Sequence, residues 1–170
     1  LHHHRRSHHH RPQMHAFSHF AGKVLFINNP FPSLARVHLF AFSKMTHTQS
    51  RVELIDQSVH GLASLETVGR AAFEDFAGTV TFEGAMPKLK TISSDAFQRI
   101  TPHSAVNIFD LFSLEIIDAH AFANTAALIR IRGALPSLTE IRPRAFRSTL
   151  NRNSSFAGTC GSETGVKIGT

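Results

Sequence analysis

Leu89-Lys90-Thr91-Ile92-Ser93-Ser94-Asp95-Ala96-Phe97 is one instance of a step that recurs down this chain. A Leu stands eight positions before a Phe, a Val or Ile follows that Leu by three, and an Ala precedes the Phe. The same four points recur at Leu34/Val37/Ala41-Phe42, Leu65/Val68/Ala72-Phe73, Leu114/Ile117/Ala121-Phe122 and Leu138/Ile141/Ala145-Phe146. Ala16-Phe17 opens the series with His9 where the Leu would be, and the successive Phe spacings are 25, 31, 24, 25 and 24. Chance does not produce five matches to a four-point template. Each point therefore does the same job in each unit, which makes the sequence that of a repeat protein.

Between each Phe and the next Leu lies a short apolar segment with β-branched residues: Val24-Leu25-Phe26, Val52-Glu53-Leu54, Val80-Thr81-Phe82, Val106-Asn107-Ile108 and Ile129-Arg130-Ile131. Such a segment reads as a strand. Turn residues follow, as in Asn28-Asn29-Pro30, Gly84-Ala85-Met86-Pro87 and Gly133-Ala134-Leu135-Pro136, where the chain has to bend. A unit of this size cannot bury both its strand and its Phe alone, so units must stack. Stacking sets equivalent strands side by side as a parallel sheet and turns the Leu, Val/Ile and Phe positions into buried columns. Fifteen Phe beside no Trp and no Tyr fits such columns, because Phe carries a large ring without a polar group to satisfy.

One strand per unit of 24 to 31 residues, with the Leu-x-x-Ile/Val…Ala-Phe step, resembles the irregular leucine-rich repeats. It is similar to the repeats of glycoprotein-hormone-receptor ectodomains and of BspA-like surface proteins. The resemblance covers residues 16 to about 150. It implies a short α/β solenoid of about five units, a horseshoe with one parallel sheet on its concave face and loops or short helices on the convex side. It also implies an extracellular or cell-surface setting and a receptor-like role in protein binding. The usual Asn column is absent, and no cysteine-rich cap flanks the array. On this reading residues 1–15 form a His- and Arg-rich flexible leader, 16–150 the array and 151–170 a flexible polar tail. The unit lacking its Leu at His9 is either a divergent cap or the sign of a longer array.

The 170 residues are 42% hydrophobic and 18% charged, a composition that excludes a disordered chain. No apolar run approaches the roughly 18 residues of a membrane-spanning helix. The formal charge of +6 sits in the ends. Residues 1–22 carry Arg5, Arg6 and Arg11 without an acid, and 142–170 carry five bases against Glu163, whereas 23–141 hold ten bases and eleven acids. The body therefore has no basic stripe on which phosphates would gather, and no nucleic-acid partner is expected.

Candidates for chemistry are few. The tract His2-His3-His4-Arg5-Arg6-Ser7-His8-His9-His10 could capture zinc or nickel weakly, so metal binding through the leader is one alternative function. His15 and His19 follow the tract at helical i, i+4 spacing, whereas His38, His47, His60, His103 and His120 are dispersed and form no ligand pattern. No nucleophile elbow, zincin motif or phosphate loop occurs, so no catalytic residue, no enzyme activity and no cofactor are expected. Cys160 stands alone, closing no internal disulfide but free to pair with another chain. Asn153-Ser154-Ser155 matches a glycosylation acceptor. The stretch from Phe42 to Phe73 carries six or seven extra residues, which would loop out of the stack.

The strand surface remains. Period-2 geometry turns the residues between the inward ones onto the concave face. Leu25, Ile27, Arg51, Glu53, Ile55, Thr81, Glu83, Asn107, Phe109, Arg130 and Arg132 are the expected partner-binding residues, and the ligand they suit is a protein or peptide. Apolar residues among charges are the composition of an interface. A structural repeat fragment with no partner of its own is the other alternative.

Overall fold

The central strand segments turn Val, Ile, Leu and Phe to the inner side and mixed polar and apolar residues to the other, and the chain returns to pair equivalent segments in parallel. The structure, a computed structural model, describes residues 16–27, 34–56, 62, 64–84, 86–149, 155–160 and 167–168. Long strands β1 (Lys23–Ile27), β3 (Arg51–Asp56), β5 (Thr79–Gly84), β7 (Ala105–Phe109), β9 (Leu128–Leu135) and β11 (Ser155–Cys160) form a six-stranded parallel sheet in that order. Two-residue strands β2 (Arg36–Val37), β4 (Thr67–Val68), β6 (Thr91–Ile92), β8 (Ile116–Ile117), β10 (Glu140–Ile141) and β12 (Lys167–Ile168) form a second parallel sheet. The chain is a β-solenoid.

The predicted columns are buried. Val52, Val80, Val106 and Ile129 stand in direct register on the inner side of the long sheet, with Leu54, Phe82, Ile108 and Ile131 one step along. Leu65, Leu89, Leu114 and Leu138 are buried against them, as are Val37, Val68, Ile92, Ile117 and Ile141 from the short sheet. The six Ala-Phe rings form a continuous stack: centroids from Phe17 through Phe42, Phe73, Phe97 and Phe122 to Phe146 are 5.0 to 5.1 Å apart, with planes 1° to 9° from parallel. That separation is set by the backbone, since parallel strands lie about 4.8 Å apart. Phe82 meets both Phe73 and Phe97 edge-on, at 6.0 Å.

The structure corrects the α/β description and the convex helices: among the described residues there is no helix, and a second sheet stands where loops or helices were expected. The reason lies in the turns around each spine Phe. The residues two before and two after it adopt left-handed backbone: Phe40/Lys44, Ala71/Asp75, Asp95/Arg99, His120/Asn124 and Arg144/Ser148. Left-handed residues four apart interrupt any α-helical turn. The spine amides bond between coils instead: Phe42 N–H donates to the Ala72 carbonyl, Phe73 to Ala96, Phe97 to Ala121 and Phe122 to Ala145, each at 2.7 to 2.8 Å. Backbone groups a helix would satisfy internally are satisfied by the next coil.

Two more strands, β11 and β12, come from the stretch read as a polar tail, pairing in parallel with β9 and β10. The His-rich leader, Asn153 and most of the extra residues between Asp56 and Ser64 lie outside the described residues.

Candidate binding face

Parallel pairing without slippage carries each outward position onto its equivalent in the next strand, so the expected binding residues form ladders. One runs Leu25, Glu53, Thr81, Asn107, Arg130 from β1 to β9. A second runs Ile27, Ile55, Glu83, Phe109, Arg132, and Arg51 belongs to a third with Lys23 and Thr79. The backbone register thus sets the eleven positions in three rows across the long sheet. A ladder spans roughly 19 Å at ordinary strand spacing.

Side-chain contacts divide this face. Arg51 pairs with Glu53 on its own strand, which partly neutralises both charges at that end although the Arg51 side chain stays more than half exposed. In the middle, Asn107 Nδ2 donates to Thr81 Oγ1 (3.3 Å), and an Arg130 Nη donates to Asn107 Oδ1 (3.4 Å). This polar row crosses three strands and holds the half-buried Arg130 side chain along the sheet, leaving most of its five N–H donors for other acceptors. Leu25 is 40% exposed, Phe109 is half-buried, and Glu83 and Arg132 are exposed. Exposed apolar groups among charges are an interface composition, and the rigid ladder beneath reduces the ordering cost of contact.

A second row of functional groups went unread in the sequence. At the spine turns, Arg99 binds Asp75 through Nε (2.8 Å) and Nη (3.0 Å), and reaches Glu74 at 2.7 Å. Arg142 meets Asp118 at 3.2 Å and Glu140 at 3.1 Å, Arg70 meets Asp95 at 3.3 Å, and Lys90 meets Glu115 at 2.9 Å. The hydrogen bond to Asp75 is the main reason the Arg99 guanidinium is held above its ordinary pKa, burial opposing it. Hydrogen bonds to Asp118 and then Glu140 raise Arg142, and the bond to Glu115 raises Lys90. Opposite charges one repeat period apart were the available signal, since stacking sets such positions side by side. These cations are engaged by the protein's own acids and offer little to a ligand.

Among the described residues no three His, Cys, Asp or Glu side chains converge as metal ligands. Compared with known protein families, with curated proteins and with solved structures, the chain matches none.

Proposed function

We propose that the chain is a leucine-rich-repeat array of a secreted or cell-surface protein, and that the outer face of its long sheet captures a protein or peptide without covalent chemistry. Catalysis, a cofactor, nucleic acid and membrane insertion have no part in this reading. The repeat assignment is supported by the Leu-x-x-Val/Ile and Ala-Phe columns, whose members in the central coils are buried at equivalent places; the extracellular setting rests on the resemblance alone. The observation that carries the binding reading is the in-register face itself, where Phe109 stands beside Arg132, Asn107 beside Arg130, and the exposed Leu25 lies at the far end of the same ladder as Arg130.

The test is selection of a random peptide library displayed on phage against the full chain. Selected peptides should lose affinity about tenfold or more, near 1.4 kcal/mol, against the Phe109→Ala/Arg130→Ala double variant, with the circular-dichroism spectrum unchanged. Peptides that bind the variant equally well place recognition elsewhere and sink the reading.

A further inference from the structure

Glu83, Phe109 and Arg132 occupy one ladder on three adjacent strands, β5, β7 and β9, in direct register. An acid, an aromatic ring and a base thus stand in a row across the sheet. Glu83 and Arg132 are exposed, and neither makes a side-chain hydrogen bond or ion pair with another described residue. They are also too far apart to neutralise each other, since two strand spacings separate them by about 10 Å. Arg130, two residues before Arg132 on the same side of β9, adds a second positive charge there, positioned by Asn107. The acids nearest the amino end do not extend the pattern, because Glu53 is already paired with Arg51.

We propose that this row is a charge code for the peptide that the binding reading calls for. The occupant is an extended segment carrying a basic, an apolar and an acidic residue at alternate positions, laid across the strands with its base over Glu83, its apolar side chain on Phe109 and its acid over Arg132 and Arg130. The inference rests on the proposed function of the same face and goes beyond it by fixing the ligand's chemistry. Alternate residues of an extended segment share one side, and the motif Lys-x-Leu-x-Glu spans about 13 Å. Flexible Lys and Glu arms cover the difference from the 10 Å between the protein's charges. Arg suits the acidic end because its planar donor fork matches a carboxylate. Charges at such a rim select partners and orient them more than they add affinity.

Three fluorescent peptides that differ only at the charged positions test this on the full chain by fluorescence polarisation at low salt: Lys-x-Leu-x-Glu, Lys-x-Leu-x-Lys and Ser-x-Leu-x-Ser, with Ser at every x. The first is expected to bind roughly fivefold tighter than the neutral peptide, and the dilysine peptide more weakly than the first. Arg132→Glu, an exposed substitution whose folding circular dichroism checks, should invert the order so that the dilysine peptide binds best. Equal affinity for all three, with loss on Phe109→Ala, overturns the charge code while the face remains the binding surface. Failure of all three to bind also overturns the code, and the library selection then decides the binding reading separately.

Discussion

The rings of Phe73 and Phe97 lie 5.1 Å apart and within 7° of parallel, although 24 residues separate them in the chain. Each ring is fully buried and also stacks on a further spine ring on its other side, Phe42 for Phe73 and Phe122 for Phe97. With planes this nearly parallel, a 5 Å centroid separation is an offset stack, the arrangement that the ring quadrupole favours over direct superposition.

Removing a central ring should therefore cost more than removing a terminal one. Phe97→Ala leaves a ring-sized gap between two neighbours and should lower unfolding free energy by about 3–5 kcal/mol. Phe17 is only half-buried and stacks on Phe42 alone within the spine, so Phe17→Ala should cost about 1–2 kcal/mol. Urea titration followed by circular dichroism measures both. Equal losses would mean that the spine does not act as a stack.

The buried columns could be read from sequence because stacking forces one residue type onto one repeat position, as with Leu65, Leu89, Leu114 and Leu138. The short sheet could not, because a strand of two residues such as Thr91–Ile92 has no alternation to detect. Nor could β11: Ser-Phe-Ala-Gly-Thr-Cys holds no β-branched aliphatic residue and lacks the Leu and Ala-Phe marks that flag the other coils. The exposed face was legible as a list, since alternation alone assigns Thr81 and Asn107 outward. The hydrogen bonds joining them to Arg130, and the isolation of Glu83 from Arg132, depend on which strands become neighbours and emerge only with the register.

The left-handed turns left no glycine signature, because residues as different as Phe40, Lys44, Asp75 and His120 occupy them. Left-handed backbone costs a residue with a Cβ about 1–2 kcal/mol. Lys44 is exposed and its φ is +54°, so Lys44→Gly relieves strain while losing little packing. Part of the gain is offset by the freer unfolded chain, and the expected net stabilisation is about 0.5–1 kcal/mol, read from the urea midpoint.

Gly78 should respond in the opposite direction. Its φ is +124°, and a Cβ there would run into the Ser50 carbonyl oxygen on the adjacent coil, which accepts the Thr79 amide at 2.9 Å. The Gly78 amide in turn donates to the buried Ser104 hydroxyl at 3.0 Å. Gly78→Ala has to displace backbone that is fixed on both sides, and a loss of about 2 kcal/mol or more is expected. A Gly78→Ala variant as stable as the parent would show that the coils are not seated this closely.

The ion pairs at the turns make a prediction about salt and pH. Arg99 joins its own coil to the preceding one through Glu74 and Asp75, but nearly half of its side chain is exposed, so solvent screens the pairs. Arg99→Gln should cost about 0.5–1 kcal/mol at low ionic strength, and the difference should shrink in about 1 M NaCl, where the screening length falls to roughly 3 Å. The sign of the pH effect follows from the direction of the shift. Arg99 is raised in the folded protein, so its stabilising effect is complete below the unfolded guanidinium pKa and is lost only as pH rises through the still higher folded value. That window lies above about pH 12. From pH 6 to 10, by rough bounds on where carboxylates and guanidinium keep their charges, the stability gap between parent and Arg99→Gln should stay constant. Urea midpoints of both proteins across that range measure it, and a gap that closes between those limits would show that another titrating group supplies the stabilisation.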